Sequence, residues 1–146
     1  MSSGTPMVSQ KDVRHAWFVV DATDQVLGRL AAGVAKVLCG KHRRSWVPYL
    51  DTGDFVVVTN CEKVRFTGKK WEQKQYAWYT GYPGQKTITA QARLEKHPEL
   101  ILEEAVRRML PKNKLGMAML KKLKLYVGPD HPHQAQQPEP TELASA

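Results

Sequence analysis

Cysteine is scarce in this chain, and its two copies, Cys39 and Cys61, stand far from each other and from any His at metal-ligand spacing. That excludes a disulfide scaffold and a zinc ribbon, and leaves both thiols as small buried hydrophobes. Long apolar runs are missing too. The longest, Phe18-Val19-Val20 and Phe55-Val56-Val57-Val58, fall far short of the roughly 18 residues of a membrane span. Residues 1–15 hold Ser, Gly, Thr and Pro followed by mixed charge, without the apolar core of a secretory signal, so a cytoplasmic protein is expected.

Glycine is absent from Asp21-Ala22-Thr23-Asp24-Gln25, between an apparent strand and helix, and with it the G-x-G-x-x-G turn that lets a backbone approach a pyrophosphate. Gly40-Lys41-His42 looks like the end of a phosphate loop, but His replaces Ser or Thr and the segment follows a helix instead of opening one. No Ser sits in a nucleophile elbow. Asp51 and Asp54 lie close together beside a strand, and Asp51-Thr52-Gly53-Asp54 reads better as a turn held by Asx hydrogen bonds than as an acid–base pair. His131 and His133, split by Pro132 and lacking a third nearby ligand, point to tail contacts before a metal. No catalytic residue, cofactor, metal or small-molecule substrate is expected.

What the chain has in excess is positive charge: 146 residues carry 22 Lys+Arg against 14 Asp+Glu, a formal +8. Residues 41–128 hold +10 of it, and residues 129–146 hold −3. Such a surplus destabilises a compact fold by self-repulsion unless something anionic screens it, and nucleic acid is the simplest such partner.

The length fits one domain, expected over residues 16–128, between a loose arm at 1–15 and a Pro- and Gln-rich tail at 129–146 that runs extended or orders on binding. Strands are expected at 16–20, 54–59 and 64–67. Leu27, Leu30, Ala31, Val34, Ala35 and Leu38 recur at helical spacing, with Thr23 or Asp24 as the N-cap and Gly40 as the stop. Further helices are expected over 90–96, capped by Thr89, from Pro98 to Pro111, and briefly over 115–122, before a last strand at 123–127. Strand–helix–strand order predicts an α/β layer fold with a small parallel or mixed sheet.

The cations fall into three clusters. Lys41, His42, Arg43 and Arg44 follow the first helix in a loop. Lys69, Lys70, Lys74 and Lys86 interleave with Tyr76, Trp78, Tyr79 and Tyr82 around the turn Gly81-Tyr82-Pro83-Gly84. Lys112, Lys114, Lys121, Lys122 and Lys124 gather near the C-terminal helix with Arg107 and Arg108. Lysines paired with aromatics suit RNA, whose phosphates take the charge and whose unpaired bases stack on rings. Tyr76 and Trp78 fit a core strand equally well, whereas the lysines are expected at the surface. Arg29, on the first turn of its helix, either meets a phosphate or pairs with Asp21 or Asp24.

Motifs spread over the chain then resemble one family. Trp17-x-Val19-Val20-Asp21-Ala22, Leu27-Gly28-Arg29-Leu30-Ala31, Gly40-Lys41-His42 and Asp51-Thr52-Gly53-Asp54-x-Val56-Val57-Val58-x-Asn60 occur in the order found in bacterial ribosomal protein L13 (uL13). Thr80-Gly81-Tyr82-Pro83-Gly84, Met109-Leu110-Pro111-Lys112-x-x-Leu115-Gly116, Lys122-Leu123-Lys124 and His131-Pro132-His133-x-Ala135-Gln136-Gln137-Pro138 continue it, so the resemblance spans about residues 17–138. It implies a three-layer α/β/α fold with a small, mostly parallel sheet. It also implies a place in the large ribosomal subunit of the cytoplasm, contacts to large-subunit rRNA and neighbouring ribosomal proteins, a role in early assembly, and no catalysis. Trp78-Tyr79 departs from the family, which usually has one or two His before Thr-Gly, and Gln85 replaces a second Gly after Pro-Gly. Candidate RNA contacts are Arg29, Lys41, His42, Arg43, Arg44, Lys69, Lys70, Lys74, Trp78, Tyr79, Lys86, Lys112, Lys114, Lys121, Lys122 and Lys124.

Overall fold

The computed structural model describes residues 8–141. The outer part of the expected arm, residues 1–7, and the end of the tail, residues 142–146, lie outside that range. A four-stranded parallel sheet forms the centre, its strands in the spatial order Leu123–Leu125, Phe55–Thr59, Trp17–Asp21 and Glu139–Pro140. Its two middle strands, β1 (Trp17–Asp21) and β2 (Phe55–Thr59), are the apolar runs already visible in the sequence, paired with Trp17 opposite Phe55 and Asp21 opposite Thr59. Runs without alternation suit strands covered on both faces.

Between them comes α1 (Leu27–Leu38), whose apolar stripe of Leu27, Leu30, Ala31, Val34, Ala35 and Leu38 is buried. Its start differs from expectation: Val26 occupies the N-cap, without a side-chain hydrogen bond, and neither Thr23 nor Asp24 caps the helix. Asp21 instead holds the Thr23 amide and hydroxyl at 3.0 and 2.7 Å, and the Leu27 amide donates to the carbonyl of Arg65 at 3.0 Å. One free amide of the first turn is therefore satisfied by backbone from a distant segment, which is one way a helix end finds partners. That segment, the expected strand at 64–67, makes only one bridge, Val26 to Arg65.

After β2 the chain runs through α2 (Lys70–Gln73) into a separate antiparallel ribbon of β3 (Gln75–Tyr79) and β4 (Gln85–Thr89). Thr89 caps α3 (Ala90–Lys96), as expected, accepting from the Ala92 amide. Then follow α4 (Glu99–Met109), stopped before Pro111, α5 (Lys114–Lys121), capped by Asn113, and β5 (Leu123–Leu125), shorter than expected. The tail returns to the sheet: β6 (Glu139–Pro140) pairs with Phe18 and Val19 as an edge strand, where a proline is tolerated. No helix among the described residues is long and apolar enough to cross a membrane.

The sheet is the middle of three layers. Val20, Val56 and Val58 pack with α1 and with Ile101, Leu102 and Val106 of α4 in one hydrophobic core. On the alternate side Trp17 stacks on Phe55 at 4.3 Å between centroids, with His133 of the tail 5.1 Å from Trp17 and His15 of the arm 5.9 Å from Phe55. His133 also bonds the Tyr126 hydroxyl at 2.8 Å, so it serves the tail contacts expected of it. This third layer is thin, with one short 3-10 turn, Gln134–Gln136. Both cysteines are free and buried, and burial pushes the Cys61 thiol up to about 11.

Two glycines let the 51–54 segment press against the end of α1. Gly40 has φ +78°, and a Cβ there would stand 2.5 Å from Thr52 Oγ1; a Cβ on Gly53 would stand 1.7 Å from the carbonyl oxygen of Leu38. Gly53→Ala is therefore expected to cost about 4 kcal/mol or more, the scale of backbone and core disruption. Gly28→Ala, with nothing within 4 Å of its new Cβ, is expected to stabilise, by about 0.5–1 kcal/mol. Thermal melts of the two variants check the contrast, and equal midpoints would contradict this packing.

Candidate nucleic-acid interface

Which of the charged side chains can meet a ligand depends first on which are held inside. Asp54 is fully buried, and its carboxylate accepts the Ala16 amide at 2.6 Å, His42 Nε2 at 2.8 Å and Arg43 Nε at 2.9 Å, with a further close bond from the second Arg43 nitrogen. Arg43 also donates to the Arg14 carbonyl at 2.6 Å. Asp51 pairs with Lys122, whose ammonium bonds the Gly53 carbonyl at 2.8 Å as well. The Asx-turn reading of 51–54 is thus corrected: both carboxylates reach across the fold to cations that neutralise them, since a buried charge without a partner is costly.

Lys122 is the second correction. It is 6% exposed, so the expectation that every clustered lysine lies at the surface fails there. His42 and Arg43, also among the candidates, are partly covered and committed to Asp54. The rest of their loop faces outward, with Lys41 and Arg44 exposed and Lys41 5.9 Å above the ring of Trp46. Trp46 and Tyr49 are themselves exposed aromatics outside the predicted clusters, two and five positions after the basic run that ends at Arg44.

Arg29 is exposed on the first turn of α1, without an acidic partner among the described residues; Asp21 is engaged by Asn60 and Thr23 instead. Those hydrogen bonds hold the Asp21 carboxyl below its ordinary value. Lys69 and Lys70 are exposed at the start of α2, while Lys74 is half-buried, 5.4 Å from the ring of Phe66 and 5.3 Å from that of Tyr76. Tyr76 is a core residue, 5% exposed, but Trp78 and Tyr79 are open to solvent on the ribbon with Lys86, which settles the core alternative differently for Tyr76 and for Trp78.

The third cluster converges. α4, the Pro111–Asn113 turn, α5 and β5 surround a groove of about 1180 Å³ with Leu110, Pro111, Met117, Leu120 and Leu123 in its walls. Arg107, Arg108, Lys112, Lys114, Lys121 and Lys124 also line it, against the single carboxylate of Glu103. Arg108 is tied to Glu104 at 2.5 Å, and Glu104 also takes Arg93 at 2.6 Å. Among the described residues no three His, Cys, Asp or Glu stand close enough to hold a metal ion.

Fold and surface together define a class: a small basic α/β protein that displays cations and aromatics on loops, a groove and a ribbon. The sequence model of the family described as ribosomal protein L13 matches residues 15–132, and the chain belongs to that family. It is 56% identical over 140 residues to the large ribosomal subunit protein uL13 of Thermotoga petrophila, covering 95% of this chain and 94% of the relative. The protein of the same name from Aquifex aeolicus is 54% identical over 95% and 97% of the two chains, and that from Saccharopolyspora erythraea 57% over 90% of each.

Two outcomes test this electrostatic allocation. Asp54→Ala strands the Arg43 guanidinium and the Ala16 amide, and is expected to cost about 3 kcal/mol, the lower end for breaking a buried pair. In a chain of this size that lowers the thermal midpoint by roughly 6–12 °C. Glu104 gives a pH signature. Burial pushes its carboxyl up, but the hydrogen bonds and charges of Arg108 and Arg93 outweigh this and hold it below its ordinary 4.5. A depressed folded value means stability that is complete above the unfolded value and is lost as pH falls through the folded one. Glu104→Gln is therefore expected to melt earlier at neutral pH and to converge with the unmodified chain in acid. Melting curves that stay parallel through the acid range would show that Glu104 contributes no such term.

Proposed function

We propose that the α4–α5–β5 groove, the outward residues of the 41–49 loop and the 69–86 segment form the face this protein turns to ribosomal RNA. The protein is a structural constituent of the large ribosomal subunit in the cytoplasm, and not an enzyme. It binds large-subunit rRNA and supports assembly of the subunit, with neighbouring subunit proteins as its other partners. Residues 16–128 serve as the platform, and 1–15 and 129–146 as arm and tail.

The observation that carries this reading is the convergence of six cations, Arg107, Arg108, Lys112, Lys114, Lys121 and Lys124, on one groove. Each phosphate neutralised by a lysine or arginine releases condensed counterions, so affinity falls steeply with salt in proportion to the number of phosphates met. The body contributes rigidity. Loops whose inner residues are tied to Asp54 and Asp51 hold their outer cations in place before RNA arrives, and less ordering entropy is then lost on binding.

The test compares surface with interior. Replacing Lys112, Lys114 and Lys121 by Gln is expected to weaken binding to a large-subunit rRNA fragment. It also makes the plot of log K against log salt shallower by about two to three, near one for each lysine that no longer meets a phosphate. The thermal midpoint should hold, because all three are exposed. Lys122→Met should do the reverse, lowering the midpoint and leaving the salt slope alone, because its ammonium is spent on Asp51 and Gly53. An unchanged slope in the triple variant refutes the assignment.

A further inference from the structure

The cations call for a polyanion but say nothing about whether its bases are paired; the ribbon of β3 and β4 does. Of β3 only Tyr76 is buried, with the Arg93 guanidinium 4.3 Å from its ring centroid. Past Tyr76 the ribbon exposes its rings: Trp78 is 47%, Tyr79 66% and Tyr82 77% exposed. Successive side chains on a strand point to opposite faces, so Trp78 and Tyr79 present their rings on opposite sides of the same ribbon. In the register Trp78 stands across from Lys86 and Tyr79 across from Gln85. One face thus offers a ring beside an ammonium, the other a ring beside an amide.

We infer that this ribbon is a two-faced stacking wedge for unpaired RNA nucleotides. One base lies on Trp78 with its phosphate met by Lys86, and a second lies on Tyr79, opposite Gln85. A continuous duplex does not fit, because its bases are stacked on one another and offer edges and backbone instead of faces. Two free bases flanking one ribbon are a property of a loop, bulge or junction. Lys69 and Lys70, exposed in the segment leading into the ribbon, favour a polyanion over an apolar protein surface as the occupant. The inference rests on the RNA-binding reading above and adds the class of RNA it takes.

The experiment uses the full chain with two probes, a single-stranded oligouridylate carrying one fluorescent adenine analogue and a blunt RNA duplex of the same length. Trp78→Leu and Tyr79→Leu are each expected to weaken single-strand binding roughly 5- to 100-fold, the effect of losing one base stack. The losses should multiply in the double variant, because the two rings serve different bases. Trp78→Phe should keep most of the affinity, and duplex binding and the thermal midpoint should not move. The analogue should be quenched when the unmodified protein binds, a readout that needs no variant to fold. Unquenched binding, equal losses for strand and duplex, or full affinity in both Leu variants overturns the wedge, and a loss confined to one ring overturns its two-faced form. A chain that ignores both probes and the rRNA fragment overturns the RNA reading itself, whereas normal rRNA binding with silent Leu variants removes the wedge alone.

Discussion

A carboxylate withdrawn completely from water sets the positions of three separate parts of this protein. Asp54 immediately precedes β2, and its partners come from the chain before β1, through the Ala16 amide, and from the loop after α1, through His42 and Arg43. The energetic return from such a pair is small, because desolvation offsets much of the Coulomb attraction. Its structural consequence is large, because an unpartnered charge at that site is excluded. The first strand, the end of the first helix and the basic loop must therefore meet at one point. Lys122 repeats the device from the other side, joining the end of α5 to Asp51. The segment between the two carboxylates is pressed so closely on α1 that only glycine fits at residue 53.

These pairs divide the positive charge into two populations with different work. Arg43, Lys122 and Arg93 are satisfied within the fold, while Arg29, Lys41, Arg44, Lys69, Lys70, Lys112, Lys114 and Lys121 face solvent. Net charge measures the sum and not the division. Two adjacent residues of one loop, Arg43 and Arg44, fall on opposite sides of it, so a cluster along the sequence does not translate residue by residue into a cluster on the surface.

The same distinction explains what the sequence makes legible. α1, β1, β2 and the Thr89 cap are readable because their determinants are local: an apolar period, a branched apolar run, a hydroxyl three residues before the amide it accepts. The N-terminus of α1 is not, because its donor is closed by Arg65, nearly forty residues away. β4 carries no burial pattern, because nearly all of it is exposed, and the two residues of β6 carry no period. On the surface, the charge total can be anticipated, whereas the strand context of Tyr76 and Trp78 is the same and only the fold separates the buried ring from the exposed one, and the burial of Lys122 rests on a partner 71 positions off. Trp46 and Tyr49 do carry a local signal, two aromatics directly after the basic run Lys41–Arg44.

Interior pairing and exterior display are linked through the cost of binding. A flexible loop that captures a phosphate loses side-chain and backbone freedom, and much of the attraction is spent on ordering. Here the ordering is done during folding. Arg43 and His42 fix the loop that presents Lys41 and Arg44, Lys122 fixes the junction between α5 and β5 that presents Lys121 and Lys124, and Arg93, tied to Glu104, lies against Tyr76 where the ribbon meets the body. In the 41–44 and 121–124 runs an outward group is thus neighbour in sequence to an inward one, and the same short basic runs that make the chain attractive to a polyanion also anchor it to itself.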